Sequence, residues 1–441
     1  MGTRFGTDGI RGVVGSEVTV DLALDLGRAV AHRFGGPDAT ILIGRDTRRS
    51  GEMLSAALTA GITAAGADVT DLGVVTTPCL VHASGEADAP AIMVSASHNP
   101  APDNGLKVIL HGRKAGMAEE DELEALLDDP SPIPILKNRQ LGRLRPDRRG
   151  VAAYERHLAE IAGDAFDGLR LGIDCANGSA SYVAPDLFRS LGAEVTVLFD
   201  APDGTNINER CGSTHPERLA ETVAAAGLDI GFAFDGDADR LIAVDERGEL
   251  VDGDAIMGIC ALARLADGSL PNSLLVVTVM SNGGLERAVR LAGGRIMRTP
   301  VGDRHVLEAM ERNDAVLGGE QSGHIIFRDR ATTGDGILTG IELVRAVRAA
   351  GSSLAELASR IPRLPQVVIN SVAIRRDEWQ ADPELSAAVE RASEAVGERG
   401  RILVRPSGTE PKIRIMVEGD DASEIERIAR ELATLAEARL N

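Results

Sequence analysis

Residues 228–240 read LDIGFAFDGDADR, an apolar run that ends in three aspartates. The run predicts a buried β-strand, because it is short, continuous and contains residue types that favour strands. Asp235, Asp237 and Asp239 alternate with small residues, so their carboxylates can converge on one cation if the loop is extended. Three carboxylate oxygens suit Mg²⁺ or Ca²⁺ better than zinc, and leaving these like charges uncompensated would be costly. The stretch therefore predicts a strand that ends at a metal site.

Two other interpretations of these aspartates stay open from the residues alone. An EF-hand loop would also begin Asp-x-Asp-x-Asp and would end at Glu246, although Arg240 stands where a glycine must make the turn. A phosphatase of the haloacid-dehalogenase type would use Asp235 as its nucleophile, although that class expects Thr or Val at the position of Asp239. The surroundings of the loop in the folded chain distinguish these interpretations.

One pattern of elements occurs three times along the chain. It consists of a strand, a polar turn, a helix, a second strand and a third strand that ends in a reactive loop. The third strand of the first copy, at 91–94, precedes SASHNP at 95–100, and that of the last copy, at 315–317, precedes GGEQSGH at 318–324. The spacings differ among the copies, so this is not a solenoid repeat. The pattern predicts three related mixed α/β domains. Because ligands bind at the carboxyl ends of strands in open α/β sheets, we expect one central cleft.

The pattern changes after about residue 364. Segments 367–374 and 401–404 predict strands, while 384–396 and 423–440 predict amphipathic helices, so we expect a smaller C-terminal α+β domain. The fold class is therefore α/β, and a proline-rich stretch before residue 150 indicates the first linker. The predicted domains are 1–150, 151–252, 253–364 and 365–441.

Ser97 is the candidate nucleophile. It follows an apolar strand at a sharp polar turn, with His98 beside it and with Pro100 discouraging a helix at Asn99. A serine in this place can also be a simple turn residue. The sequence contains neither the G-x-S-x-G of serine hydrolases nor a P-loop.

A second group of residues indicates anion binding. Residues 405–409 read RPSGT and are followed by Lys412 and Arg414, so hydroxyls, a flexible glycine and guanidinium groups occur within ten residues. That combination suits a phosphate dianion, and the alternative is a hairpin turn with solvated charges. Glu320 and Ser322 are candidates for hydrogen bonds to sugar hydroxyls, or members of an ordinary loop.

Composition excludes several classes of function. The 441 residues include 47 Lys and Arg against 67 Asp and Glu, a net charge of −20, and only 2% are aromatic. Such a chain is a poor candidate for binding nucleic acid or an anionic membrane by a broad basic surface. The four cysteines form no CxxC pair, and no segment approaches the length of an apolar membrane span, so we expect a cytoplasmic protein. The oligomeric state is left open between a monomer and a homodimer.

Five motifs taken together resemble those of the α-D-phosphohexomutase family. They occur in the family's order over essentially the whole chain: FGTDGIRG at 5–12, SASHNP at 95–100, DGDADR at 235–240, GEQSGH at 319–324 and RPSGTEP at 405–411. Gln321 and the segments 211–215 and 299–304 look like the branch that acts on glucosamine phosphates, although Pro300 departs from the lysine expected there. The alternative is a phosphomannomutase or phosphoglucomutase of the same family.

The resemblance implies four domains around a central cleft and the interconversion of glucosamine 6-phosphate and glucosamine 1-phosphate, which supplies amino-sugar nucleotides and cell-wall precursors. It implies that Ser97 is phosphorylated and that its phosphate binds Mg²⁺ together with Asp235, Asp237 and Asp239. It implies acid/base or electrostatic roles near the transferred phosphate for Arg11, Lys107 and His324. The substrate-binding residues it implies are Arg240, Glu320 and Ser322 for the sugar side, and Arg405, Ser407, Gly408, Thr409 and Arg414 for the phosphate that does not react.

Overall fold

The N-terminal part of the chain forms a seven-stranded sheet flanked by helices in the computed structural model, which describes residues 4–6, 8–36, 39–406 and 411–441. Its strands are β1 (Ile10–Val13), β2 (Thr40–Arg45), β3 (Asp68–Val74), β4 (Ala91–Val94), β5 (Asp103–Leu110), β6 (Arg113–Lys114) and β7 (Leu144–Pro146). Its helices are α1 (Val20–Val30), α2 (Gly51–Ala64), α3 (Thr77–Glu86) and α4 (Met117–Asp128). The strand order is β1-β5-β4-β2-β3-β7, with β6 paired to β5. Because β7 pairs with β3, part of the predicted linker belongs to the sheet.

The second sheet has five strands in the order β12-β11-β10-β8-β9. These strands are β8 (Arg170–Asp174), β9 (Glu194–Leu198), β10 (Ile230–Phe234), β11 (Leu241–Val244) and β12 (Leu250–Val251). The accompanying helices are α5 (Arg149–Ala162), α6 (Ala184–Ser190) and α7 (Glu217–Ala226). All five residues of β10 are buried, as expected for an apolar strand in the middle of a covered sheet.

The third sheet has four strands in the order β14-β13-β15-β16. These are β13 (Leu274–Thr278), β14 (Arg295–Thr299), β15 (Leu317–Gly319) and β16 (Ile325–Phe327). The helices around it are α8 (Gly253–Ala266), α9 (Gly283–Leu291), α10 (Asp303–Arg312), α11 (Gly336–Ala350) and α12 (Leu354–Ala358). One apolar core runs from the first sheet through the second to the third and includes Val75, Phe232 and Ile341.

These three sheets share one arrangement. The spatial orders are β3-β2-β4-β5, β9-β8-β10-β11 and β14-β13-β15-β16. In each order, the second strand pairs in parallel with the first and the third, and the third strand pairs with the antiparallel fourth. The reactive loops are the three connections from the third to the fourth strand, at 95–102, 235–240 and 320–324. The predicted threefold α/β pattern is therefore confirmed, and each loop begins at the carboxyl end of a parallel strand.

The C-terminal part forms a smaller antiparallel sheet of order β17-β19-β18. Its elements are β17 (Gln366–Val372), α13 (Pro383–Val396), β18 (Gly400–Pro406), β19 (Lys412–Gly419) and α14 (Ala422–Leu440). It has an apolar core of its own, which includes Leu385, Ile415 and Leu432. The α+β character is as predicted, but the central strand β19 was not among the two strands expected there. Across the described ranges, no helix has both the length and the apolar character that crossing a membrane requires.

Tyr154 on α5 forms a buried hydrogen bond with Asp335, the residue that precedes α11. It is 1% exposed, and its hydroxyl donates a hydrogen bond to Oδ2 of Asp335 at 2.9 Å. The other oxygen of Asp335 caps α11 by accepting from the Leu338 N–H at 3.0 Å. Burial raises the pKa of Asp335 to about 6. Ionising this carboxyl at neutral pH therefore costs free energy, and the hydrogen bond from the Tyr154 hydroxyl reduces that cost.

We expect Tyr154→Phe to lower the midpoint of urea-induced unfolding at pH 8 by an amount equivalent to about 1–3 kcal/mol, because the buried carboxylate loses a donor while the ring packing stays. The loss should be smaller at pH 5, where Asp335 is protonated in the folded state. Tyr182→Phe is the matched control, since Tyr182 is 52% exposed and is the other tyrosine of the chain. Equal midpoints for the two variants would contradict this account.

Candidate active site

Ser97 lies in the connection from β4 to β5 and is completely buried. Its backbone has a φ of 53°, in the left-handed region that residues other than glycine adopt rarely. The hydroxyl donates a hydrogen bond to Oδ2 of Asp235 at 2.5 Å, and Nδ1 of His98 lies 3.3 Å from the same hydroxyl oxygen. The fold thus places the candidate nucleophile directly against the acidic loop.

Arg48 holds the backbone of the Ser97 loop in this position. Its side chain is buried, and its Nε pairs with Oδ2 of Asp46 at 2.9 Å. Its two terminal nitrogens donate to three carbonyl oxygens of the loop and to that of the first residue of β5: Ser97 at 2.9 Å, Asn99 at 2.8 Å, Pro100 at 2.5 Å and Asp103 at 3.0 Å. Because all five N–H groups of the guanidinium are used, the loop is fixed by a rigid planar group.

The three aspartates after β10 form a compact buried cluster. One carboxylate oxygen from each of Asp235, Asp237 and Asp239 lies within 4.8 Å of the others. Within the described part of the chain, Oδ1 of Asp237 and Oδ1 of Asp239 are buried with no hydrogen-bond partner. Burial and the two neighbouring carboxylates raise the pKa of Asp235 to about 8. Converging carboxylate oxygens without hydrogen-bond partners fit a hard metal cation, so the cluster can hold a metal ion.

The structure excludes the EF-hand interpretation. The acidic loop connects two paired strands, β10 and β11, instead of two helices. Glu246, which would be the last ligand of an EF-hand, accepts a hydrogen bond from the Ala355 N–H at 3.2 Å.

Lys107 and Thr77 both bind the same oxygen of Asp237. The Lys107 Nζ and the Thr77 Oγ1 each lie 2.6 Å from Oδ2 of that carboxylate, which leaves Oδ1 for a cation. Lys107 Nζ also lies 3.1 Å from Oδ2 of Asp8. Burial acts to lower the pKa of Lys107, but the carboxylates of Asp237 and Asp8 outweigh it and raise the pKa. Lys107 is therefore a fixed positive charge at the site.

His324 approaches the cluster from the loop of the third sheet. Its Nδ1 lies 3.5 Å from Oδ2 of Asp239, and its Nε2 accepts a hydrogen bond from the Gly334 N–H at 3.1 Å. Because Nε2 is an acceptor, the ring proton belongs on Nδ1, directed at Asp239. Burial acts to lower the pKa of His324, but the carboxylate of Asp239 outweighs it and raises the pKa.

Arg11 and Arg240 bring two further positive charges. Arg11 pairs with Asp8, and Nε of Arg240 lies 3.8 Å from Oδ1 of Asp239. Among the described residues, the buried Nε atoms of Arg11 and Arg240 have no hydrogen-bond acceptor. Burial and these two guanidinium groups lower the pKa of His98, next to the nucleophile, to about 4. Unused guanidinium donors beside a buried serine suit the oxygens of a phosphoryl group.

The loop of residues 320–324 contacts the residue before α10 and the first residue of β11. Oε1 of Glu320 accepts from the Gly302 N–H at 3.0 Å, and the Gly323 carbonyl accepts from the Leu241 N–H at 3.1 Å. Ser322 is exposed. The candidate sugar-binding residues therefore lie on a loop that is joined to the end of the acidic loop.

In the C-terminal sheet, Arg405 on β18 lies directly opposite Arg414 on β19. Partial burial and the charge of Arg414 lower the pKa of Arg405. Neither guanidinium pairs with a carboxylate in the parts of the chain that the structure describes. Facing like charges are unfavourable unless an anion joins them, so the pair can bind a phosphate. Ser407, Gly408 and Thr409 lie outside the described residues.

Sequence reasoning assigned no role to Lys114, Arg48 or Thr77, all of which contact the site. The half-buried Lys114 lies between Asp303, at 2.5 Å, and Asp8, at 2.8 Å. A signal for it existed: the chain has four lysines, and two of them, Lys107 and Lys114, lie just after the Ser97 loop. No comparable signal marks Arg48 or Thr77, because the groups that they bind at the site, the Ser97 loop and Asp237, are distant in the sequence.

Comparison with known proteins gives matches along the whole chain. Four models of the phosphoglucomutase/phosphomannomutase family match: α/β/α domain I at 2–132, domain II at 152–248, domain III at 252–364 and the C-terminal domain at 369–435. The chain is 51% identical to the phosphoglucosamine mutase of Symbiobacterium thermophilum, with 100% of both chains covered. It is 49% identical to that of Moorella thermoacetica, with 99% of both covered. A solved structure of a phosphoglucomutase/phosphomannomutase family protein from Burkholderia thailandensis superposes with a TM-score of 0.84 at 28% identity, covering 100% of this chain and 99% of that one.

Proposed function

This chain belongs to the phosphoglucomutase/phosphomannomutase family, and we propose that it interconverts glucosamine 6-phosphate and glucosamine 1-phosphate. The observation that carries the proposal is the buried Ser97 hydroxyl, hydrogen-bonded to one of three clustered aspartates that have unpartnered oxygens. A serine placed in this way can carry a phosphoryl group beside a cation. The full-length identity to phosphoglucosamine mutases supports glucosamine phosphate as the substrate.

In the proposed reaction, Ser97 begins as phosphoserine. The bond from phosphorus to the Ser97 Oγ breaks, a bond from phosphorus to a hydroxyl oxygen of the sugar phosphate forms, and the hydroxyl proton ends on the Ser97 Oγ. The product is a bisphosphosugar, which turns over and returns its other phosphate to Ser97 by the reverse exchange. Phosphoryl transfer depends mainly on positioning and on charge stabilisation, and this site supplies both.

We propose that the metal is Mg²⁺, held by Asp235, Asp237 and Asp239 together with an oxygen of the phosphate on Ser97. When bound, Mg²⁺ supplies positive charge to the phosphoryl oxygens during transfer. Lys107, Arg11 and Arg240 place further positive charge at the same point, and His324 orients Asp239. The hard oxygen donors of the cluster support Mg²⁺ over softer metals.

We assign substrate binding to two places. Glu320, Ser322 and Arg240 would bind the sugar, and Arg405 and Arg414, with Ser407, Gly408 and Thr409, would hold the phosphate that does not react. Because the bisphosphosugar turns over, the arginine pair must accept either phosphate, which favours a cationic site without strict geometry. The alternative substrates are the mannose and glucose phosphates, which differ from glucosamine phosphate by few contacts.

We propose domain boundaries at 150/151, 252/253 and 364/365, supported by the fact that each segment so defined contains one whole sheet. We place the reaction in the cytoplasm, which the four buried cysteines without a disulfide support. A homodimer remains a hypothesis that light scattering tests.

Phosphorus NMR tests the function. The phosphorylated, Mg²⁺-loaded protein is given glucosamine 6-phosphate, glucose 6-phosphate and mannose 6-phosphate in separate samples. We expect a 1-phosphate signal that grows fastest with glucosamine. Release of inorganic phosphate alone would indicate a phosphatase, and faster conversion of glucose or mannose phosphate would keep the mechanism but change the substrate.

The role of Arg405 gives a separate prediction. We expect Arg405→Ala to raise KM by about 10-fold to 100-fold with little change in kcat, because a charge-assisted hydrogen bond to phosphate is worth about 1.5–3 kcal/mol in ground state and transition state alike. Arg427→Ala is the control, since Arg427 is exposed on α14 and pairs with Glu431. Unchanged substrate binding in the Arg405 variant would refute the phosphate site.

A further inference from the structure

The Ser97 loop is held from two parts of the chain. Arg48, which lies between β2 and α2 in the segment of the first sheet, donates to the carbonyl oxygens of Ser97 and Asn99. Nδ2 of Asn208, which is 111 residues from Ser97 in the sequence, donates to the same two oxygens at 2.9 Å each. Asn208 follows β9 and therefore belongs to the segment that builds the second sheet.

The backbone around Asn208 is itself well fixed. Asn208 has a φ of 57°, a left-handed conformation that asparagine tolerates better than most residues, and its N–H donates to the Ala176 carbonyl at 2.9 Å. The side chain of the preceding residue, Ile207, is 1% exposed. The amide is therefore presented to the Ser97 loop from an anchored segment.

Asn208 also lies where the nucleophile loop meets the acidic loop. A Cβ atom placed on Gly236 would lie 2.6 Å from the Ser97 carbonyl oxygen and 3.1 Å from the Asn208 Nδ2. The three groups therefore meet within van der Waals distance, with room for glycine alone at position 236. Arg48 fixes the loop to the first sheet, whereas Asn208 fixes it to the second, which carries Asp235 and Asp237.

We infer that Asn208 is a positioning residue that keeps the Ser97 hydroxyl within hydrogen-bonding distance of the acidic cluster on the neighbouring sheet. The inference rests on the proposed function of Ser97 and adds a residue to it. Asn208 contacts the loop backbone, so its effect is on the position of the reacting serine and not on substrate binding. Phosphoryl transfer is sensitive to displacements of about 1 Å, so loss of these two hydrogen bonds should appear in kcat.

The experiment uses the full chain with Mg²⁺ and compares Asn208→Leu and Asn208→Asp with Asn206→Leu and Asn206→Asp. Asn206 is the matched control because it lies in the same loop and its Nδ2 donates to the Ala201 carbonyl, away from Ser97. The readouts are kcat and KM for glucosamine 6-phosphate, amide hydrogen exchange of residues 95–104 and the thermal unfolding midpoint. The two Asn208 variants distinguish loss of the donor from the addition of a charge.

We expect both Asn208 variants to lower kcat by about 10-fold or more, with KM within about twofold, and to speed exchange in residues 95–104, while both Asn206 variants behave like the unmodified protein. An equal loss of kcat in the Asn206 variants, or an unchanged kcat and exchange in Asn208→Leu, would overturn the inference. If the unmodified protein does not turn over sugar phosphate, the proposed function fails instead. In that case the exchange measurement still shows whether Asn208 fixes the loop.

Discussion

Ser97→Ala is expected to lower kcat by about 1,000-fold or more without unfolding the protein, because the hydroxyl that accepts and returns the phosphoryl group is removed. The side chain is small, and its hydroxyl contacts only Asp235 and His98 among the described residues, so little packing is lost. The measurement is mutase turnover with glucose 1,6-bisphosphate excluded, together with the thermal unfolding midpoint.

Ser55→Ala is the matched control for this variant. Ser55 is also a buried serine, on α2, and its hydroxyl has no hydrogen-bond partner among the described residues. We expect unchanged turnover in this control. Near-normal turnover in Ser97→Ala would remove Ser97 as the nucleophile. A phosphate that stays on the Ser97→Ala protein and is released by hydroxylamine would identify an acyl phosphate and transfer the role to Asp235.

Asp237→Asn is expected to weaken the binding of Mg²⁺ by about 100-fold or more and to lower kcat by a similar factor. The substitution keeps the size of the side chain but removes one of three negative charges, and charge count is a main determinant of affinity for hard cations. It also removes the strongest partner of Lys107, whose Nζ lies 2.6 Å from Asp237. Metal affinity is measured by calorimetry with Mg²⁺ and by the paramagnetic signal of Mn²⁺, so the result does not depend on turnover.

A second readout for this variant is the metal-induced rise in the thermal unfolding midpoint, which should disappear in Asp237→Asn because a ligand that binds only the folded state stabilises it. Asp245→Asn is the control: Asp245 is also a buried aspartate at the end of a strand, but its carboxylate accepts from the N–H groups of Arg247 and Glu249. Loss of metal binding in both variants would show that the effect is general destabilisation. Full metal affinity in Asp237→Asn would exclude this carboxylate as a ligand.

Much of the fold was predictable because the hydrophobic pattern and the turn residues act locally. The buried run that ends at Phe234 forms β10 as expected, and the run that ends at Val94 forms β4. Strand β19 was not among the predicted strands, although residues 412–415 alternate charged and apolar side chains, which is the pattern of a half-buried strand. The short strand β7 was missed because it lies in a proline-rich stretch and forms only by pairing with β3 at the sheet edge.

The sequence by itself determined the class of the chain, the threefold strand pattern and the loops that carry reactive groups, because periodicity and motif spacing are properties of neighbouring residues. The tertiary structure alone decided which atoms meet: Ser97 with Asp235 across 138 positions, Lys107 and Thr77 on one oxygen of Asp237, and Arg48 and Asn208 on the carbonyls of the Ser97 loop. Apart from those of Arg48, which lie within the first sheet's segment, these contacts join sheets built from separate segments. Their geometry depends on how the sheets pack, since a shift of about 1 Å in that packing would break hydrogen bonds of 2.5–2.9 Å without altering any local pattern.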